Sequence, residues 1–268
     1  MSKKLLAYAL VLTLGLPALY YFSPFVYFSP ERKVARVVDK LVDRNVAARG
    51  GADAWQVVSS MRQSGLMDVG HGMHLPYVLE QKRPGKMCLE FDFDDETAVQ
   101  CVAGNSGWKL LPFQGRNKPE PMTAAELREA AVSSDPYGLL FDYAARGIAL
   151  ELVGREPVAG RDAFKLKVTL AQGAVRWLYL DVETALEVKL ETRRTLGGKE
   201  LRVETLYHEW QAADGLLISR RQQTQTEGDP ESHFLTVDRV DVNPSLDDSR
   251  FVMPTSMSAS SGTAQSAS

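Results

Sequence analysis

The chain has 268 residues, 44% of them hydrophobic, and a net charge of -3, which gives a pI near 5.9. That length holds one large β domain or two small ones with a sizeable core, and the lack of a basic surplus excludes nucleic acid as an expected partner. Its two cysteines, Cys88 and Cys101, are too few and wrongly spaced for a zinc site or a disulfide scaffold, so one bridge is the most they form.

Lys3 and Lys4 precede an uncharged run from Leu5 to Pro30, the charge layout of an export signal whose N-terminus stays in the cytoplasm. Residues 1–30 are therefore expected to be a signal peptide or a signal anchor, with the remainder in the periplasm. The anchor reading rests on length, since the run exceeds the roughly 20 residues that a bilayer requires. Tyr20, Tyr21, Phe22, Phe25, Tyr27 and Phe28 suit the headgroup level, and Pro17 and Pro24 would kink a spanning helix. Cleavage is the alternative, although Leu16-Pro17-Ala18 is a poor small-x-small site and no lipobox cysteine is present.

Ser29-Pro30-Glu31 supplies an N-cap, a first-turn proline and an acid for a helix running to about Ala48, ended by Gly50-Gly51. Val34, Val37, Val38, Leu41, Val42 and Val46 form one apolar stripe, expected to cover a sheet, with a lipid surface as the other option. Ala52 to Val58 reads as a short helical turn. Strands are then expected near Met61 to Val69, Tyr77 to Lys82, Met87 to Phe93, Thr97 to Ala103 and Gly107 to Phe113, from their period-two alternation.

In the third of these, Met87, Leu89, Phe91 and Phe93 share a face, with Cys88, Glu90 and Asp92 on the other. A two-residue turn at Asp94-Asp95 sets Cys88 directly opposite Cys101, close enough to bridge. Matching Leu89 and Phe91 to Cys101 and Val99 on one apolar face instead needs a register shifted by one, which separates the cysteines. The two registers exclude each other, and the sequence leaves both open.

Between Gly115 and Gly147 the pattern turns helical. Thr123-Ala124-Ala125-Glu126 has capping-box spacing and opens a helix to about Val132. Asp135-Pro136 then caps an expected second helix containing Leu139, Leu140, Phe141 and Tyr143 and stopped by Gly147. This insertion, 116–146, is either a lid over a dry sheet face or a packed connection.

Strands resume at Ile148 to Gly154. A meander follows in which Phe164, Leu166, Val168 and Leu170, then Val175, Trp177 and Tyr179, then Leu186, Val188 and Leu190 alternate with polar residues. Its turns are too short for crossover helices, so the strands run antiparallel. Leu201 to Trp210, Leu216 to Thr226 and His233 to Val242 complete the strand set. Asn243 to Pro254 is an irregular closing segment in which Phe251 plugs the core, and 255–268 reads as a disordered tail.

Candidate chemistry is sparse. His71 and His74 lack a third ligand, so no metal is expected. Gly104-Asn105-Ser106-Gly107 reads as a turn and not as a nucleophile elbow, and no P-loop or dinucleotide fingerprint occurs. Asp92, Asp94, Asp95 and Glu96 read as a solvated hairpin tip, and Trp55, Trp108, Trp177 and Trp210 as packing residues. No catalytic group and no cofactor is therefore assigned. The expected ligand surface is an apolar one: Leu89, Phe91, Phe93 and Trp108 from the first strands, Leu139 and Phe141 from the insertion, and Phe164, Leu166, Val168, Trp177, Tyr179, Leu186, Val188 and Leu190 from the meander.

Ala47-Ala48-Arg49-Gly50-Gly51, Lys82-Arg83-Pro84-Gly85-Lys86, Gly107-Trp108, the run from Glu151-Leu152-Val153-Gly154-Arg155-Glu156 through Leu180-Asp181, and Asn243-Pro244 with Leu246-Asp247-Asp248 together resemble the periplasmic lipoprotein carriers LolA and LolB and the related outer-membrane lipoprotein-sorting proteins. The likeness spans about Arg44 to Pro254 and lies in scaffold motifs. It implies a mainly β (α+β) domain over 31–254: an incomplete antiparallel β-barrel, or half-barrel, covered by helices and enclosing an apolar cavity for acyl chains. The function it implies is non-enzymatic binding or carriage of lipid or of lipoprotein acyl chains. An envelope sensor or assembly protein, using the half-barrel to bind a protein partner, is the alternative.

Overall fold

The computed structural model describes residues 30–132, 134–196 and 198–254; most of the segment expected to be a signal or anchor, and the 255–268 tail, lie outside the described residues. Helix α1 (Pro30–Ala48) and the short α2 (Ala52–Gln56) lead into strands β1 (Ser60–Asp68), β2 (His74–Lys82), β3 (Lys86–Phe93), β4 (Glu96–Ala103), β5 (Ser106–Leu111) and β6 (Arg116–Pro121). Helix α3 (Ala124–Val132) follows, and the second half comprises β7 (Ala149–Val158), β8 (Arg161–Thr169), β9 (Val175–Asp181), β10 (Glu187–Leu196), β11 (Lys199–Ala213), β12 (Leu216–Thr226) and β13 (Ser232–Val242). Among the described residues no helix is long and apolar enough to cross a membrane.

All thirteen strands form one antiparallel sheet in the order β6-β5-β4-β3-β2-β1-β13-β12-β11-β10-β9-β8-β7. The chain therefore lays down one meander outward to β6, crosses to the far edge, and returns through a second meander until β13 pairs with β1. The sheet does not close, because β6 and β7 are its two edges. Both edges are blunted: β6 carries Pro119 and Pro121, and β7 has a register irregularity between Leu152 and Gly154. The β1–β13 joint also bends, at Gly65, where a Cβ would fall 1.9 Å from the Thr236 carbonyl oxygen. Only glycine fits there.

Residues paired across strands point to the same side, so the register assigns two faces. On the inner face, Leu166, Val168, Leu178 and Leu180 bury against Val38, Leu41 and Val42 of α1 and against Leu140 and Ile148. The α1 stripe thus covers the sheet, each side chain contributing about 1.5–3 kcal/mol of burial, although Val37 is 43% exposed. Asn45 fixes the end of α1 by donating to the Ala185 carbonyl.

Three details differ from the sequence expectations, and one open alternative is resolved. Leu166 pairs with Leu178, and Lys165 and Lys167 pair with Tyr179 and Trp177. The second meander strand therefore turns its leucines to the core and its aromatics outward, because Trp177-Leu178-Tyr179-Leu180 is apolar on both faces. Outward-facing Tyr179 is still buried, with the Lys189 ammonium 4.1 Å from its ring. Secondly, the cysteine registers resolve to Cys88 opposite Cys101, with Leu89 opposite Gln100, and the disulfide forms. The competing register assumed one dry face, but the cysteine face is also covered, by Leu246 and Phe251. Thirdly, Arg116–Pro121 is a strand inside the segment expected to be helical. Finally, 136–147 forms successive turns in place of the expected second helix. Asp135 does cap it, accepting from the Tyr137 N–H, but Asp142 adopts φ 51 and Gly138 φ 74, left-handed values that break a right-handed helix.

Candidate functional site

The half-barrel is a trough, and its two ends differ. At one end the crossing segment spans the inner face from the β6 edge to the β7 edge and is pinned mid-way by Tyr137. That ring packs edge-on to Trp55 at 5.9 Å, its hydroxyl donates to the Val58 carbonyl, and Met61, Leu216 and Ile218 lie beneath it. Trp55 is held in turn by its indole N–H on the Arg49 carbonyl. This end is plugged.

Toward the other end the inner face is only half-covered. The rows Met67, Leu75 and Leu235, then Tyr77 and Phe91, then Leu79 and Leu89 stand on one side of β13, β1, β2 and β3. Except for buried Tyr77, these side chains are partly exposed. Phe91, Phe93 and Phe113 form an aromatic rim with ring centres 6.0 and 5.4 Å apart, and Phe113 is 37% exposed. The result is an apolar floor open to solvent along the first meander, while α1 covers β7, β8 and β9 of the second.

Two ion-pair clusters stand on the inner face. Arg49 meets Glu187 at 3.2 Å and donates to the Tyr137 carbonyl. Burial pushes the nearby Tyr207 phenol well up, with Glu187 adding to the shift and Arg49 and Arg176 opposing it. Lys109, buried in β5, bonds Glu126 of α3 and reaches Glu120 at 3.4 Å. The Glu126 carboxyl is held low by the Lys109 hydrogen bond and by the Thr123 N–H, and that second bond completes the capping box. Burial pushes Tyr77 up, and its hydroxyl has no hydrogen-bond partner among the described residues.

The candidate residues divide between five places. Leu89, Phe91 and Phe93 lie on the open floor, with Phe164, Leu166, Val168 and Leu190 beneath or beside α1. Leu139 and Phe141 belong to the crossing segment and pack inward. Trp108, Trp177, Tyr179 and Val188 lie on the convex side: Trp108 donates to the Phe251 carbonyl under the C-terminal segment, and the other three cluster with Val158 and Ala163. Leu186 is half-buried in the β9–β10 turn, its carbonyl accepting from the Asp181 N–H. Sequence reasoning missed Arg49, Glu187, Tyr137 and Lys109. The one available signal was a charge set in an apolar stretch, as Lys109 is between Trp108 and Leu110.

His71 pairs with Glu231 at 3.3 Å, and among the described residues no group of three or more His, Cys, Asp or Glu side chains converges as a metal site would require. The C-terminal segment forms a strap over the convex side. Arg250 bridges Glu80 at 2.9 Å and Glu90 at 2.6 Å, Asp248 takes Lys82 and Lys86, and the Arg250 carbonyl sits 3.3 Å from Cys88 Sγ.

No family model matches the chain, and no curated protein does. Solved structures share its shape. A DUF1329 family protein from Desulfovibrio piger aligns with TM-score 0.56 at 13% identity, over 80% of this chain and 97% of that one. A putative outer membrane lipoprotein-sorting protein domain from Vibrio parahaemolyticus gives 0.53 at 13%, over 82% and 94%. A LolA superfamily protein from Nitrosomonas europaea gives 0.53 at 12%, over 80% and 97%. The chain has the half-barrel fold of these lipoprotein-sorting and LolA-superfamily structures.

Proposed function

We propose that this chain is a non-enzymatic binding or carrier protein that holds lipid, or the acyl chains of a lipoprotein, against the open inner face of its half-barrel. The observation that carries this reading is the unequal filling of the trough. Helix α1 packs over β7, β8 and β9, while Met67, Leu75, Leu79, Leu89, Phe91 and Leu235 offer an apolar floor that its own chain only half covers. Each acyl methylene buried on that floor contributes about 0.8 kcal/mol, so a chain of about twelve carbons offers up to about 10 kcal/mol against the cost of association. Arg49, Glu187 and Lys109 on the inner face are already engaged in ion pairs, which suits holding a ligand more than transforming it. Residues 1–30 would export the domain to the periplasm or tether it to the inner membrane, and an envelope protein would receive or deliver the lipid.

The test is direct. Mass spectrometry of an organic extract from natively purified protein is expected to show co-purified lipid, and delipidated protein should take up a fluorescent fatty acid. A protein that carries no lipid and takes up no fatty acid overturns the proposal.

A further inference from the structure

A second surface lies on the outside of the helical cover, along the seam between α1–α2 and the crossing segment. Two clefts meet there. One, of about 330 Å³, is lined by Gln56, Arg83, Tyr137, Phe141 and Asp142. The other, of about 450 Å³, runs on between Val42, Val46 and Ala47 on one wall and Leu140, Phe141 and Ala144 on the other. Phe141 and Asp142 line both, so a polar cleft opens into an apolar one.

The two charges of the polar cleft stand outside the ion pairs. The Arg83 guanidinium lies 4.1 Å over the Tyr137 ring, and its hydrogen bond, to the Val58 carbonyl, is long at 3.5 Å. Asp135, whose carboxyl burial pushes up while Arg146 and Arg83 help to hold it down, is already paired with Arg146 at 3.4 Å. Among the described residues neither Arg83 nor Asp142 joins an ion pair, although both line one small cleft with two aromatic rings. Asp142 is held in place by its backbone, at φ 51 with its carbonyl accepting from the Arg146 N–H. Asp43 adds a second carboxylate at the apolar cleft.

A planar guanidinium binds phosphate or carboxylate oxygens through two parallel donors. A carboxylate beside aromatic faces binds an ammonium group by charge and by cation–π attraction. An apolar groove opening from that pair accepts a hydrocarbon tail, and each cleft is within the size range of small-ligand sites. We infer that the seam binds a single-chain zwitterionic amphiphile, its anionic oxygens on Arg83, its ammonium at Asp142, and its tail between α1 and the crossing segment. This takes the lipid-holding reading as the source of the ligand class, but it uses a surface separate from the trough floor.

The full chain is titrated with three probes of equal acyl length, each below its micelle concentration: lysophosphatidylethanolamine, lysophosphatidylglycerol and free fatty acid. The phosphoethanolamine probe is expected to bind about tenfold more tightly than the phosphoglycerol probe. Asp142→Asn, which keeps a side chain tolerated at positive φ, should abolish that difference. Arg83→Gln should weaken both phospholipid probes about tenfold, and Arg83→Lys, which keeps the charge, should recover part of the loss. Equal binding of the two phospholipid probes to the unaltered chain, or affinities within about twofold for both variants, overturns the inference. If fatty acid still binds in that case, the trough reading stands; if no probe binds, both fall together.

Discussion

Arg49, just past the end of α1, and Glu187, the first residue of β10, form an ion pair 3.2 Å long whose side chains are only 11% and 9% exposed. Arg49 also lies 4.5 Å over the Trp55 ring and holds the Tyr137 carbonyl, so one guanidinium ties helix, sheet and crossing segment together. Removing one partner of a buried pair leaves the other charge uncompensated, at a cost of about 3–5 kcal/mol. Glu187→Ala and Arg49→Ala should each lower the melting temperature by about 6–15 °C. Arg49→Lys should retain part of that stability, because it keeps the charge and loses the planar stack. Thermal unfolding followed by far-UV circular dichroism measures this, and a shift below about 2 °C for both alanine variants would show that the pair is not structural.

Cys88 and Cys101 close a loop of sequence separation 13, for which the chain-entropy account gives about 3 kcal/mol. The double serine variant should be destabilised by about that amount in urea unfolding. Both cysteines are buried beneath Leu246 and Phe251, so the strap shields the sulfurs from reductant. Phe251→Ala, which loses about 3–5 kcal/mol for a buried phenylalanine, is expected to speed thiol release under a fixed phosphine concentration by at least about tenfold more than Leu166→Ala, an equally buried truncation in the separate α1 cluster, because it opens the strap locally. Equal acceleration by the two variants would mean that reduction waits on global unfolding.

The same strap responds to acid. Hydrogen bonds from Lys82 and Lys86 hold the Asp248 carboxyl down to about 2. Burial pushes Glu80 up, but hydrogen bonds from Arg250 and Arg62 outweigh it and leave Glu80 below its ordinary value. A carboxylate depressed in the folded state contributes its stability above the unfolded pKa of about 4 and loses it as pH falls through the folded pKa. The strap should therefore be firm at neutral pH and loosen progressively from about pH 4 to about pH 2. Disulfide reduction by an acid-tolerant phosphine is expected to accelerate across that window, and Asp248→Asn should remove the lower part of the dependence. A flat profile would sever the strap from these carboxylates.

On the trough floor, Phe91→Asp and Leu89→Glu place a charge where an acyl chain would lie. Each should reduce fatty-acid uptake by more than about tenfold, the cost of burying an unpaired carboxylate against hydrocarbon. Lys167→Gln, on the convex side opposite Trp177, should leave uptake unchanged. Equal binding by all three variants would place the ligand elsewhere.

Much of the scaffold was legible from alternation and caps. The α1 bounds, the capping box at Thr123 and Glu126 and most strand positions follow from local chemistry, and the structure reproduces them to within a few residues. What was not legible depends on which surfaces are covered twice. Trp177 and Tyr179 alternate like core residues, yet Leu178 and Leu180 face the core, because a run apolar at every position gives no parity signal. The Cys88 register could not be chosen without knowing that Leu246 and Phe251, some 150 residues away, cover its face. β6 was hidden by its prolines, which suit an edge strand as well as a loop. The Arg49–Glu187 pair joins residues 138 positions apart, a separation on which local pattern carries no information.

The pairing of the first strand with the last has a consequence for how the molecule is made. Met61 meets Val242 across that joint, so a chain emerging from its N-terminus can build the early meander, but the seam uniting the halves must wait for nearly the last described residues. Long loop closure makes such contacts the slow step of folding. Until β13 arrives, β1 is left with an unpaired edge. A chain truncated before Ser232 should therefore yield two half-sheets with sticky margins, prone to self-association.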